Sequence, residues 1–477
     1  MAKGFIKSVL GFSIPTVVSA FVAIVAVPLT SRVIPADEYA KVNIFYEYGN
    51  LLALMAPMGI ADAFIRYFHE TNLVLERRRL YTICLFVTSI VLLITGGFVI
   101  AFSGSSTSRG LFGCSDSMLI VFLFMYAWAI SCYKLSSYEA RLEENVVRYS
   151  AQQVTFIITN RLLYVIPIAV LHGFVAGCLF LLMSTLLIGG ISILTEKKPI
   201  FSLRRTADSE SLGSLMSYGL PLVLAGASLN LMSAINKTAL SSMSSFTEAG
   251  VYSLALTIAN VFSFVPAAFC TYWSVYMYEH YETEGQKIKL VHDFISFTSI
   301  VLVVGIFVFQ DVLYALVGVE YGASQPYFML VMLWPVQSLL CETTAYGLNI
   351  KKKTSLGLLA SGIAVAADAL AVIVLVPNWG AMGAAFAFAL ASVVSLALRS
   401  CLGQKFYRSL ESPSRTVVAY ALIVCVCIIN IICWNFLALR LIVAVALLSV
   451  ALMLFRRCIP QFTKTIFGNI SVFSPRR

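Results

Sequence analysis

The sequence predicts an all-α polytopic membrane protein of about fourteen transmembrane helices, arranged as two related six-helix halves with two helices appended. Three observations carry that prediction. The 477 residues are 60% apolar and only 12% charged, about half the charge with which a soluble chain coats itself in water. Charge-free runs long enough to cross a bilayer recur along the whole chain. Landmarks in the first half return about 207 residues later. Disorder, collagen and ordinary soluble enzyme folds are excluded by the same arithmetic.

The elements follow in order. Runs free of Asp, Glu, Lys and Arg include Ser8–Ser31, Leu80–Ser108, Ser117–Tyr133, Ser211–Asn236, Ala249–Met277, Phe294–Gln310, Thr416–Leu439 and Leu441–Phe455. Two others are too long for one crossing and contain turn signals. Leu162–Thr195 divides at His172-Gly173, and Ala369–Leu398 divides at Pro377-Asn378-Trp379-Gly380. With less clean stretches added, helices are predicted over 8–31, 41–65, 80–102, 117–137, 149–171, 173–194, 212–238, 249–275, 291–311, 327–349, 354–376, 380–400, 416–437 and 438–455. The run after MAKGFIK exceeds a signal-peptide core of about 7–15 residues, so it reads as the first helix. Prolines 15, 28, 57, 167, 221, 266 and 335 fall inside spans, where each removes a backbone donor and favours a bend. Trp379 and Trp434 map to one boundary and Trp273 to the other, as interfacial belts do.

Alternate loops sort the net charge of +10. One set holds 27 of the 33 basic residues, including Lys134, Arg141 and Arg148, Lys197, Lys198, Arg204 and Arg205, Lys351–Lys353, and Arg456, Arg457, Lys464, Arg476 and Arg477. The other holds Arg32, Lys41, Arg109, Lys237 and Arg440, leaving Arg161 inside a span. The positive-inside rule then puts both termini in the cytoplasm of a cell-membrane protein. Because the charge is cut into loop-sized pieces, it offers no patch for nucleic acid. Most of the eleven cysteines lie in spans and suggest neither a disulfide framework nor a metal site. No GxxxxGK[ST], GxSxG or HExxH occurs; His69-Glu70 lacks the second His. No loop is long enough for a catalytic domain, the longest outer one being Ser103–Asp116, so an enzyme is not expected.

The halves share a register. GFSIP (Gly11–Pro15) answers SYGLP (Ser217–Pro221), with prolines 206 apart. Glu38 and Glu248 are 210 apart, Pro57 and Pro266 209, and Gly173 and Gly380 207. An even number of helices per repeat makes the halves parallel, with a pseudo-two-fold along the membrane normal and a site at their interface. The expected divisions are 1–205, 206–410 and an appendix at 411–477.

GFSIPTVVSAFVAIVAVPLTSRVIPADEYAKVNIF, MGIADAFIRYF, YGLPLVL…INKTAL…TEAGVYSLALTIANVF and GLNIKKKT…LVPNWGAMGAAFAFAL together resemble the polysaccharide-transporter (O-antigen and capsule flippase) family. That family belongs to the multidrug/oligosaccharidyl-lipid/polysaccharide exporter superfamily. The resemblance covers nearly the whole chain. It implies two lobes in a V around a central cavity, alternating access, and a polyprenyl-diphosphate oligosaccharide as cargo. Membrane lipid and other polysaccharide-assembly proteins are the further partners expected; no cofactor is expected, and coupling to H+ or Na+ is left open by the sequence. One departure is that Asn236-Lys237 stands where the family often has Asp-Arg. A lipid II flippase and a cation-coupled multidrug antiporter are the alternatives. The antiporter usually places an acid in the first or seventh helix, and here Ser8–Ser31 and Ser211–Asn236 have none.

Charges inside the spans are the candidate site residues, since each costs about 2.5–3.5 kcal/mol at mid-bilayer. Arg161 and Asp368 occupy equivalent positions, 207 apart. Either they make structural pairs, or they line the cavity, with Arg161 on anionic cargo and Asp368 answering an ion. Arg32 and Lys237 close the first and seventh helices, where they either hold the diphosphate or snorkel to the interface. Arg66 either anchors its helix or meets the entering headgroup. Glu342, about 13 Å deep by helix rise, is a proton carrier or a buried protonated acid. Glu47 is expected to sit near the outer interface, in water.

Overall fold

The computed structural model describes residues 2–68, 74–194, 211–456, 458 and 460, and among these every regular element is helical. The basic residues Lys197, Lys198, Arg204, Arg205, Arg457, Lys464, Arg476 and Arg477, and the pair His69-Glu70, lie outside the described residues.

The first repeat begins with α1 (Ala2–Val33), α2 (Ala36–Met55) and α3 (Ile60–Tyr67). Next come α4 (Val74–Phe112), α5 (Met118–Leu142) and α6 (Val146–Ile158). A π turn (Thr159–Leu163), α7 (Val165–Leu171) and α8 (Phe174–Leu194) complete it. The second repeat opens with α9 (Leu212–Gly226), α10 (Ser228–Met243), α11 (Phe246–Val261), α12 (Phe264–His280) and α13 (Gly285–Tyr314). A 3₁₀ turn (Val319–Ser324) and the short helices α14 (Phe328–Val331), α15 (Leu333–Thr344) and α16 (Tyr346–Ile350) lead to α17 (Thr354–Phe406). Finally α18 (Pro413–Cys433) and α19 (Leu437–Phe455) form the appendix, packing with α13.

Ten of the described helices are long and apolar enough to cross a membrane, or twelve when two bent pairs are each taken as one span. The fourteen crossings expected are therefore not all distinguished. The shortfall sits where proline and glycine interrupt the pattern. Phe328–Thr344 is a shorter apolar stretch, divided at Met332 just before Pro335. The 53 residues of α17 run on as one element although Gly380 breaks them with φ +52°. The stretch expected as the longest loop, Ser103–Asp116, is instead helical to Phe112 beyond a kink at Ser103. Its hydroxyls bond back into the chain there, Ser103 to the Val99 carbonyl and Thr107 to Ser103.

Two of three helix breaks fall at prolines. α2 and α3 form one span bent by 57° at Ala56–Gly59, which contains Pro57. α9 and α10 bend by 54° beyond Pro221. α11 and α12 separate just before Pro266. At Pro57 and Pro266 a missing N–H interrupts the ladder, whereas α9 runs on through Pro221 and breaks only after Gly226.

The described chain forms two compact units. The first comprises Met1–Leu254, Val319–Tyr321 and Val372–Ala381; the second comprises Ala255–Gly318, Gly322–Ala371 and Met382–Arg477. The start of the second repeat thus packs with the first. At that seam Gly59, with φ +82°, and Gly219 press backbone to backbone, so a Cβ on either would overlap the other. Around the contact, Ile60 and Phe64 of α3 bury against Tyr81, Leu135 and Leu215. Higher on the same seam, Tyr48 and Thr238 hydrogen-bond at 2.9 Å. Within the second unit, Arg440 is buried against Asp311 and donates to the carbonyls of Phe307 and Val308. Trp273, expected in an interfacial belt, is core: it is 2% exposed, stacks on Phe269 and Tyr276, and donates to the Glu342 carbonyl. Trp379 is exposed.

Candidate functional site

The four cationic candidates Arg32, Arg66, Arg161 and Lys237 all lie in the first unit, and the two acidic ones, Glu342 and Asp368, in the second. Their surroundings differ sharply.

Arg161 sits in the π turn between α6 and α7. The extra residue of such a turn widens the helix and re-aims the side chains that follow, a geometry frequent at functional sites. Beside it Asn160 is buried and fixes the turn, its Oδ1 accepting from Tyr126 at 2.8 Å and Thr185 at 3.3 Å. Arg161 itself is exposed and donates to the Ser19 hydroxyl of α1 at 3.0 Å. One neutral hydroxyl leaves most of the five guanidinium donors for a ligand.

Arg66 is also exposed, on the last turn of α3. Its guanidinium lies 4.3 Å from the Tyr218 ring centroid on α9 and 5.3 Å from Tyr67. These cation–π contacts hold the head at the α3–α9 seam. Arg32 is exposed at the end of α1.

Lys237 is different. It is 4% exposed and pairs with Glu47 at 2.9 Å. The carboxylate expected in water is mostly buried, and it neutralises the ammonium across the α2–α10 contact. Each charge accounts for the other, which spares either from an uncompensated burial cost.

Asp368 is completely buried within the first half of α17. Glu342 is half-buried on α15, where the Cys270 thiol hydrogen-bonds its side chain.

Two carboxylates that the sequence marked only as repeat landmarks have a definite task. The Glu38 carboxylate accepts from the backbone N–H of Phe174, the first residue of α8. The Glu248 carboxylate accepts from the N–H of Ala381 at 2.7 Å, directly after the break at Gly380. Each acid therefore caps the closing helix of its own repeat, where unsatisfied N–H groups and the helix dipole favour negative charge. A Cβ at Gly380 would collide with Glu248, so the cap requires glycine there. Lys41 completes the first cap, bridging Asp37 at 3.2 Å and Glu38 at 3.6 Å between the rings of Phe174 and Phe246. Both acids and both targets stood in register in the sequence; the pairing between them did not.

The described residues contain one group with the donor types of a metal site, Asp293, Glu411 and Cys458, all within 4.8 Å. Arg415 already stands among them, 2.5 Å from Asp293, 3.0 Å from Cys458 and 3.8 Å from Glu411. Burial pushes the Cys458 thiol up to about 11. A resident cation and a protonated thiol suit an ion-pair cluster rather than a metal.

A family model described as polysaccharide biosynthesis protein matches residues 5–273. The chain belongs to the polysaccharide biosynthesis protein family. No curated protein sequence matches it significantly. Among solved structures, it is similar to one described as lipid II flippase MurJ in an inward closed conformation. The TM-score is 0.69 at 11% identity, covering 94% of this chain and 99% of that one. It also matches an inward-facing multidrug resistance MATE family transporter of the MOP superfamily, with TM-score 0.59, 16% identity, and coverage of 87% and 99%. A MATE protein in complex with MaL6 matches at 0.53 and 16%, covering 87% and 97%. At these identities the likeness is one of fold: this polysaccharide biosynthesis family member has the MurJ/MATE fold. The solved structures it resembles are described as a lipid II flippase and a multidrug resistance transporter.

Proposed function

We propose that the chain is a flippase that carries a polyprenyl-diphosphate-linked oligosaccharide from the inner to the outer leaflet for polysaccharide biosynthesis. The observation that supports it most is Arg161. It is an exposed guanidinium offered from a π turn in mid-span, held by a single neutral hydroxyl. An arginine fork matches phosphate oxygens bidentately. Arg66, exposed at the α3–α9 seam, adds a second cation, and Arg32 a third. Lys237 supports the fold instead, its charge being taken by Glu47.

The mechanism is alternating access. The diphosphate and sugar enter a hydrated cationic space with both termini cytoplasmic, while the polyprenyl tail stays in lipid. The two lobes 1–205 and 206–410 rock, with 411–477 as an appendix, and the headgroup then faces outward. The fold shared with a lipid II flippase keeps lipid II as an alternative cargo. A multidrug antiporter is disfavoured by the absence of acids from α1, α9 and α10.

The test is reconstitution into vesicles with a fluorescent lipid-linked oligosaccharide and a leaflet-selective quencher, run beside lipid II and a cationic drug. Protection of the oligosaccharide lipid from the quencher, abolished by Arg161→Ala, is the expected result. Drug efflux with no movement of either lipid overturns the proposal.

A further inference from the structure

The first unit contains a cleft, apolar over most of its lining, that none of these roles uses. Asp62 of α3, Cys84 and Thr88 of α4, and Ser131, Lys134 and Tyr138 of α5 face a space of about 40 Å³ open to water, enough for a few molecules.

The cleft exists because the α2–α3 span is broken. Pro57 has no N–H, so the Ala53 carbonyl lacks its helical donor, and the Ser131 hydroxyl meets it at 3.3 Å. The chain turns through Met58 and Gly59, both at positive φ, and restarts at 57° as α3. Asp62 stands in the first turn of that new helix. Among the described residues no hydrogen bond or opposite charge reaches its carboxyl. Besides Ser131, two of the other polar groups are committed elsewhere. Thr88 donates to the Cys84 carbonyl at 2.7 Å, and the Lys134 ammonium lies 3.5 Å from the Asn50 amide oxygen. The titratable groups facing Asp62 are Cys84 from α4 and Lys134 and Tyr138 from α5; α9 presents apolar Val223, and Arg66 follows one turn later on α3.

An unpaired, partly buried carboxylate is costly to keep ionised, and a bound cation would relieve that cost. A metal ion would have to share the small cleft with the Lys134 ammonium, like charge beside like charge. A proton adds no second cation; it cancels the acid. We propose that Asp62 is a proton-binding site. Its occupancy biases the bend that seats α3 on α9, where Gly59 meets Gly219. Its role in coupling rests on the flippase reading; the proton binding does not.

Two measurements test it. Infrared difference spectra of the purified chain in lipid nanodiscs, between acid and alkaline pH, are expected to show a distinct carboxylic-acid band beside the common one of the 22 other acids among the 23 Asp and Glu residues. That band is lost in Asp62→Asn and retained, shifted, in Asp62→Glu. In vesicles, an imposed pH gradient is expected to change the rate of lipid-linked oligosaccharide movement. The response is lost in Asp62→Asn and kept in Asp62→Glu, which retains a titratable group if the amide misfolds. Survival in Asp62→Asn of that distinct band or of the gradient response overturns the proposal, as does dependence on sodium in place of protons. Failure of the wild type to move the lipid refutes the flippase reading instead, and the infrared band still decides the proton site.

Discussion

The two repeats agree where they hold the helices and disagree where they handle charge. Glu38 and Glu248, in register, cap α8 and the helix after Gly380 in the same way. Arg161 and Asp368, also in register, do not correspond in role: one is exposed from a π turn, the other wholly buried in an unbroken helical stretch. Arg32 and Lys237 diverge too, exposed in the first repeat and buried against Glu47 in the second. Duplication preserved the joints. Only one copy of each charged position was left facing outward from its packing.

Substitutions can break or sharpen that contrast. The largest effect is expected at Lys237→Met, which strands Glu47 without its partner and costs about 3–5 kcal/mol. Thermal unfolding in detergent should fall steeply, recover when Glu47→Leu is added, and barely move for Arg32→Met. Next is Arg161→Ala. Losing a charge-assisted bond of about 1.5–3 kcal/mol should slow lipid movement about 10- to 150-fold, with thermal stability unchanged. Asp368→Ala should do the reverse. It should cost about 1–3 kcal/mol of stability by leaving its buried surroundings unsatisfied, with the rate per folded molecule preserved. A loss of rate there would restore functional equivalence to the pair. The smallest effects belong to the caps. Glu38→Ala and Glu248→Ala should each cost about 0.5–2 kcal/mol, and similar amounts, as their shared geometry requires.

The helices, the repeat and the breaks at Pro57 and before Pro266 were legible because hydrophobic period and missing N–H groups are local properties of a sequence; the bend after Gly226 was not, since α9 runs through Pro221. The kinked continuation to Phe112 was not, since a Ser/Thr/Gly-rich stretch reads as loop until its hydroxyls find backbone partners. Charges were found but not sorted. Depth along a helix follows from counting residues, whereas rotation about its axis decides whether Lys237 meets Glu47 or water. At Arg161 the π turn changes that rotation, and no residue type announces it. The Asp62 cleft was hidden for a related reason: the 57° bend, rather than spacing, brings Asp62 and Lys134 to one space.

The π turn also carries a consequence for inheritance. It is one residue more than the helix needs, so a single-codon deletion anywhere in Thr159–Leu163 could restore a regular helix. Everything after it, Pro167 included, would keep its present phase, because the wide turn already absorbs the extra residue. The chain would keep its length of apolar sequence and its insertion into the membrane, yet point a different side chain where Arg161 now stands. At this position the reading frame of the helix, as much as the identity of the residue, is what lineages of this protein would have to conserve.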